Sequence, residues 1–303
     1  MLASIWCPLL TKASHHGYTA MHAQDHATQG DMTMSIRDRM GFDAGDMRLE
    51  EALEWATRYG FHYVDFNADR PPNALDAWDE ARVRAIRQRC ERANIHLGLH
   101  TLSGVNVAEF SPYVSEAVDT YLRANIDVAQ RLGCAWLVVH AGFHFSANVE
   151  ARQAAALEHL QRAVTYAEQV GPRLLLENLN LEPAAAEVHY LGHTVEECRY
   201  YFDAIASAHF GWAFTVNHAH LVPEGVNGFL DAFGITRIGE VRLADNLGDR
   251  EVHLNPGAGN IDFAALFQRL EVAGYQDHYM MAFGSLEDKL AGRDHLVACW
   301  HEA

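Results

Sequence analysis

The sequence predicts a protein of the α/β class, a single-domain (β/α)8 or TIM barrel. About eight short apolar runs alternate along the chain with amphipathic stretches of helical period. Each run is apolar nearly throughout, which is typical of a parallel strand covered on both faces. Eight such repeats favour a parallel barrel, and 303 residues suit a fold that needs about 250.

The predicted strands follow one another at regular intervals from residue 36 onward. They are residues 36–42 (the weakest), 62–66, 95–100, 135–140, 173–177, 211–216, 238–243 and 278–283. The predicted helices are residues 49–59, 77–93, 113–132, 149–170, 195–206, 226–233, 263–272 and 288–301. An open doubly wound sheet is the competing architecture, but no GxGxxG motif follows the first run, which disfavours its dinucleotide-binding form.

Residues 1–33 form a segment of different character. They are rich in His, Ala, Thr and Gln and have no hydrophobic period. The apolar stretch at residues 5–10 is short and contains Pro8, so it is a poor signal-peptide core. We interpret residues 1–33 as a poorly ordered extension or as sequence upstream of a start near Met32 or Met34, and residues 34–303 as the barrel domain.

The composition excludes several classes of partner. The chain has 23 Lys and Arg against 40 Asp and Glu, a formal net charge of −17, which disfavours nucleic acid. No apolar run approaches the roughly 20 residues of a membrane span. The five cysteines are scattered without a CxxC pair, which fits a reducing, cytoplasmic location. Whether the chain forms homo-oligomers stays open.

Polar side chains stand at the ends of the predicted strands. His100, His140 and Glu177 end the third, fourth and fifth runs, and Arg242 lies in the seventh. Asn217, His218 and His220 follow the sixth run, and Asp245 follows the seventh. Strand C-termini of a barrel meet at one mouth, so we expect a site there. A single histidine in such a place is more often a structural hydrogen-bonding residue, but several in register favour a functional site.

Four segments resemble the sugar phosphate isomerase/epimerase family, a superfamily of xylose isomerase-like barrels that includes endonuclease IV. They are LLLENLN (174–180), FTVNHAHL (214–221), VRLADNLGDREVHLNPGAGNIDF (241–263) and HYMMAFG (278–284). The resemblance implies a divalent ion held by Glu, Asp, His and Glu at the ends of strands five to eight. Those positions fall on Glu177, Asn217, Arg242 and Ala282. Only the first ligand is kept. Asparagine could still offer a neutral oxygen, but arginine has no lone pair for a cation and alanine has no donor.

Two arrangements would compensate for the altered ligands. Endonuclease IV-like members place His, His and Glu on strands three to five, which implies a shifted zinc or manganese site at His100, His140 and Glu177. Further ligands of such members fall near His220 and on Glu251 and His253. Alternatively, Arg242 stands in for the ion beside Glu177 and lowers the pKa of that carboxyl group; the sequence favours this metal-free arrangement slightly.

The resemblance implies an isomerase, epimerase or lyase that acts on a sugar-like or polyol small molecule by removing a proton next to a carbonyl. We expect Glu177 to be the general base, His220 the second acid or base and Arg242 the fixed cation. Substrate-binding roles are expected for His100, His140, Asn217, Asp245 and His253. A zinc-dependent hydrolase resembling endonuclease IV and a non-catalytic ligand-binding barrel are the alternatives.

Overall fold

Eight parallel strands close into a barrel in the computed structural model, which describes residues 35–302. The barrel strands are β1 (Met40–Asp43), β2 (Tyr63–Phe66), β3 (His96–His100), β4 (Trp136–Val139), β6 (Arg173–Glu177), β8 (Phe210–Thr215), β9 (Ile238–Leu243) and β10 (His278–Met281). They are hydrogen-bonded in chain order, and β10 pairs with β1 to close the ring. The predicted TIM barrel is confirmed.

Helices cover the outside of the barrel, as the alternating pattern predicts. They are α1 (Leu49–Tyr59), α2 (Glu80–Ala93), α3 (Pro112–Leu132), α4 (Val149–Val170), α5 (Val195–Ala204), α6 (Val216–His220), α7 (Gly225–Phe233), α8 (Phe263–Val272) and α9 (Leu286–Glu302). Within residues 35–302, no helix combines the length and apolarity that a membrane crossing requires.

Local sequence explains where these elements begin and end. All four residues of β4 and all six of β8 are buried, as expected for strands with side chains on two packed faces. Asp79 and Asp262 accept hydrogen bonds from the third residue of α2 and of α8, respectively, so they cap those helices. α3 starts at Pro112 and ends before Gly133, which has φ of 74°.

The structure differs from the predicted elements in three places. A short 3-10 helix, Arg37–Arg39, precedes β1, so the weak first run becomes a strand only from Met40. Residues 216–220 form α6 instead of continuing the sixth strand and its loop. Two short antiparallel strands, β5 (Phe143–His144) and β7 (His189–Tyr190), pair across the barrel mouth as a ribbon. Each of these strands has only two residues, so the sequence contains no alternating pattern that would predict them. The interpretation of residues 1–33 concerns a segment outside the described residues.

Candidate functional site

A cavity of about 290 Å³ opens at the C-terminal ends of the barrel strands. Its lining includes Asp43, His100, Glu177 and Arg242, which lie on β1, β3, β6 and β9. These strands are not neighbours, but all barrel strands share one direction, so their carboxyl ends converge on the mouth and bring the four side chains together. The cavity therefore gathers polar groups from distant parts of the chain at the face where barrel enzymes carry their sites.

His100, His140 and Glu177 form the first group of donors in this cavity. The Nε2 atoms of His100 and His140 lie 3.1 Å apart. Oε2 of Glu177 lies 3.0 Å from Nε2 of His140 and 3.4 Å from Nε2 of His100. Tetrahedral zinc with bonds of about 2.0–2.1 Å needs donors separated by about 3.3–3.4 Å. The three atoms are thus spaced as ligands of one small divalent ion would be.

Neighbouring side chains fix the orientation of this first group. The Thr101 hydroxyl donates to the carbonyl oxygen of Val138 and lies 3.3 Å from Nδ1 of His140, so it can accept the proton on that nitrogen. The Thr215 hydroxyl donates to Oε1 of Glu177 over 2.6 Å. These contacts leave Nε2 of His140 and Oε2 of Glu177 directed at one point, as outer-sphere partners do in metal sites.

A second group of donors consists of His218, Glu251 and His253. Oε1 of Glu251 lies 3.3 Å from Nε2 of His218 and 2.6 Å from Nε2 of His253. Nδ1 of His218 lies 2.9 Å from the carbonyl oxygen of Asn178, to which it can donate, and the His253 ring stacks on Phe283 at 3.3 Å. This geometry turns Nε2 of His218 towards Glu251.

The two groups are adjacent. Nδ1 of His218 lies 3.7 Å from Oε1 of Glu177. Burial would raise the pKa of Glu251, but hydrogen bonds from His218 and His253 lower it to about 2. The cavity therefore has two ionised carboxylates, Glu177 and Glu251, with an imidazole between them.

Burial and pairing set the protonation states around Glu177. Burial would raise the pKa of its carboxyl group, but hydrogen bonds from His100 and His140 and the charges of His100 and Arg242 hold that pKa well below its usual range. Burial and Arg242 oppose protonation of His100, yet Asp43 and Glu177 raise its pKa to about 10. Burial lowers the pKa of His140. A cation bound at Glu177 would therefore displace the proton of His100.

Arg242 lies at the bottom of the cavity, and its hydrogen-bond partners are carboxylates other than Glu177. Its guanidinium donates to Asp43 over 2.6 Å and to Asp65 and Glu240 over 2.7 Å each, whereas its nearest approach to Glu177 is 4.0 Å. The side chain is 1% exposed. Arg242 is a buried partner of three carboxylates, and its charge also helps to lower the pKa of Glu177. The arrangement in which it replaces the ion beside Glu177 stays a prediction.

Burial raises the pKa of Asp65 to about 8, with the charge of Asp43 adding to the effect. Asp65 is fully buried, and its Oδ1 has no hydrogen-bond partner among the described residues. The cluster below the cavity therefore combines one arginine with carboxyl groups of very different acidity.

His220 and Asn217 make contacts that the sequence did not predict. Nε2 of His220 lies 2.8 Å from Oδ1 of Asn260, and both line a separate cavity of about 370 Å³. His220 is thus turned away from Glu177, because residues two positions apart on a helix such as α6 do not share a face. Asn217 donates to Glu251 rather than standing at a ligand position. Thr215, at the end of β8, is hydrogen-bonded to Glu177.

Asp245 is engaged by the backbone of its own loop, and a substrate-binding role for it stays a prediction. Its buried carboxylate accepts the backbone N–H groups of Asn246, Gly257, Gly259 and Ile261. A Cβ at Gly259 would collide with the Asp245 carboxylate and with the carbonyl oxygen of Asn246, so only glycine allows this loop to close around Asp245.

The sequence predicts no catalytic role for His218, and it indicates Glu251 only as the position of a further metal ligand. The segment NHAH offers two histidines, and only the helical geometry of α6 decides that the first one faces the cavity. Glu251 stands two residues before His253, the spacing on which the expected carboxylate–histidine ligand pair depended. His100, His140, Glu177, Arg242 and His253 line the cavity as a set.

Comparison with known proteins agrees with this architecture. Residues 53–293 match the family model described as xylose isomerase-like TIM barrel. The chain belongs to that family. In sequence it is 27% identical over 240 residues to a probable endonuclease 4 of Geobacillus kaustophilus, a match that covers 74% of this chain and 78% of the relative.

Solved structures of similar fold include proteins named as sugar epimerases and as endonuclease IV. A D-tagatose 3-epimerase-like protein superposes with a TM-score of 0.77 at 21% identity, over 87% of this chain and 97% of the other. Endonuclease IV from Thermus thermophilus superposes with a TM-score of 0.69, also at 21% identity, over 88% of this chain and all of the other. At these identities the likeness concerns the fold.

Proposed function

We propose that this protein is a divalent-metal-dependent isomerase or epimerase that acts on a small sugar or polyol derivative. The observation that carries the proposal is the convergence of two His–carboxylate–His groups on one cavity of about 290 Å³. A cavity of this size suits a small molecule. The donors of His100, His140 and Glu177 fit zinc or manganese, since neutral imidazole and carboxylate are suitable ligands for either ion.

The charge around the mouth supports a small molecule over a polynucleotide. The segments that connect each barrel strand to the next helix contain eleven Asp and Glu residues, three arginines and no lysine. A site for DNA must neutralise phosphates with lysine and arginine. An acidic rim repels phosphates instead, so the substrate we infer is uncharged at its outer end.

The cavity residues can carry out proton transfer next to a carbonyl group. Glu177 is ionised and would accept the proton from carbon, while the electron pair shifts to the carbonyl oxygen. A divalent ion at His100, His140 and Glu177 would contribute positive charge towards that oxygen. His218 lies beside Glu177, and Glu251 lies beside His218; together they would return a proton. They would thus act in place of His220 and of the second family carboxylate, whose position is occupied here by Ala282.

Deuterium exchange tests this proposal whatever the product of the reaction is. The protein would be incubated in D2O with a panel of ketoses and aldoses, and NMR would follow exchange at the carbon next to the carbonyl. We expect exchange in the wild type, its loss in Glu177→Gln, and its retention in Glu187→Gln, which changes an exposed carboxylate on the same connection. No exchange with any member of a broad panel, or full exchange in Glu177→Gln, would overturn it.

A metal-dependent phosphodiester hydrolase is the second candidate. It is favoured by the second donor group, which could hold a further ion, and by the sequence similarity to a protein named probable endonuclease 4. The metal content separates the two: the isomerase needs one ion per chain at the first group, whereas a two-ion hydrolase would also fill His218, Glu251 and His253. Cleavage of abasic-site DNA that depends on His253 would favour the hydrolase.

A further inference from the structure

Aromatic side chains continue from the cavity onto the surface of the protein. Tyr190 lines the cavity, and the ring of Phe143 meets it edge-on at 6.2 Å. Phe145 follows at 5.8 Å from Phe143, again edge-on. The guanidinium of Arg152 lies 5.9 Å from the Phe145 ring and 5.3 Å from the Phe110 ring. We call Tyr190, Phe143, Phe145 and Phe110 the aromatic track.

The outer part of the aromatic track is uncovered. Phe145 is 50% exposed and Phe110 is 48% exposed. Tyr113 and Val114, which follow Phe110 in the chain, are also exposed. Scattered apolar residues on a surface need no explanation, but a continuous set that begins inside a candidate active site is typical of a binding surface.

The aromatic track is held rigidly. Phe143 and Tyr190 face each other across the β5–β7 ribbon. The side-chain oxygen of Asn106 accepts the backbone N–H of Phe143 over 2.9 Å. Arg152 is held by Glu109 over 2.8 Å and donates to the carbonyl oxygen of Ala108. A surface fixed in this way loses little entropy when a flat group lies on it.

The charges nearby limit what can lie on the track. The connections after β3, β4 and β6, residues 101–111, 140–148 and 178–194, contain three glutamates and no lysine or arginine. Arg152 is paired with Glu109, so it is engaged by a carboxylate already. A phosphate, a nucleotide or another anionic tail would find no lysine or arginine on these three connections to pair with. An uncharged aromatic ring matches both the apolar surface and the acidic surroundings.

We propose that the substrate is a glycoside whose sugar unit carries a ketone and enters the cavity, and whose uncharged aromatic aglycone lies on the aromatic track. This rests on the proposed function for the sugar and adds the class of its appended group. The cavity of about 290 Å³ holds the reacting unit, and Tyr190 marks the point where the sugar gives way to the aglycone.

Matched glycosides test the proposal by binding alone. Calorimetry with the full-length protein would compare phenyl and methyl β-D-glucoside, β-D-galactoside and β-D-xyloside. We expect a phenyl member to bind roughly three- to tenfold more tightly than its methyl counterpart, as one aromatic contact allows. The advantage should disappear in the double variant Phe110→Ala/Phe145→Ala and persist in Tyr200→Ala, which removes an exposed ring from α5 on another part of the surface.

Equal affinity for phenyl and methyl members, binding of neither, or an advantage that survives the double variant would overturn the proposal. Sedimentation velocity provides a further check: a dimer that dissociates in the double variant would assign the aromatic track to self-association and also overturn it. Because binding needs no turnover, these failures differ from failure of the proposed function, which appears as absent deuterium exchange or absent metal. Tighter binding of phenyl glycosides without deuterium exchange would support the aromatic track as a binding surface and contradict the proposed isomerase activity.

Discussion

Replacing Arg242 with methionine should destabilise the barrel strongly. Its guanidinium is 1% exposed and donates to Asp43, Asp65 and Glu240, all at 2.6–2.7 Å. Methionine keeps most of the volume but leaves buried carboxylates without their cation. Breaking a buried ion pair from one side costs about 3–5 kcal/mol, a large part of the roughly 5–15 kcal/mol that holds a typical domain together.

The deficit should grow with pH. Burial would raise the pKa of Asp43, but His100 and Arg242 hold it below its usual value. Without Arg242, burial has less opposition and the pKa values of Asp43 and Glu240 in the folded state rise. A carboxyl group whose folded pKa exceeds its unfolded pKa destabilises the fold increasingly as pH rises above the unfolded value. The difference between variant and wild type should therefore be larger at pH 8 than at pH 5.

Urea unfolding followed by far-UV circular dichroism at both pH values measures this effect. The matched control is Arg269→Met, which removes an arginine paired with Asp231 on the surface and should cost no more than about 1 kcal/mol. If Arg242→Met unfolds at pH 8 with a free energy within about 1 kcal/mol of the wild type, the buried cluster does not contribute as the geometry requires.

Three further outcomes follow from the site and its surroundings. His218→Asn should lower the rate of deuterium exchange at least tenfold in the same NMR assay, whereas His220→Asn should leave that rate near the wild-type value. Equal effects of the two substitutions would contradict the placement of the two rings. Thr101→Val should weaken zinc binding about 10–100-fold, measured by competition with a chelating dye, because His140 loses its hydroxyl partner. Glu197→Gln should lower the unfolding free energy at pH 7, since the pKa of Glu197 is held down against burial by a histidine and two backbone N–H groups. That difference should vanish as acid titrates the wild-type carboxylate, because a depressed folded pKa stabilises only above it, and a difference independent of pH would contradict the pairing.

The barrel could be predicted from sequence because its strands are covered on two faces. A run such as residues 135–140 is apolar at nearly every inward and outward position, and that pattern is visible in the run by itself, whichever strands lie beside it. His100, His140 and Glu177 could be found for the same reason, since each stands where an apolar run ends. Their convergence follows from parallel pairing alone.

Contacts between distant segments could not be predicted in this way. Asp65 lies in one predicted strand and Asp43 directly follows another, but they are 177 and 199 residues from Arg242, and nothing local shows that both contact it. The choice between His218 and His220 depends on one short helix that the apolar period does not reveal. The ribbon that presents Phe143 and Tyr190 has only two residues per strand, too few for any pattern.

The most direct test of the central claim is the metal content of the protein and of His140→Ala. Residues 1–33 and any affinity tag would be removed first, since their histidines could bind ions. Both proteins would be loaded with zinc or manganese, desalted and examined by elemental analysis. We predict one equivalent per chain at His100, His140 and Glu177 in the wild type and its loss in the variant. No stoichiometric metal in the wild type, or the same content in both proteins, would contradict the claim.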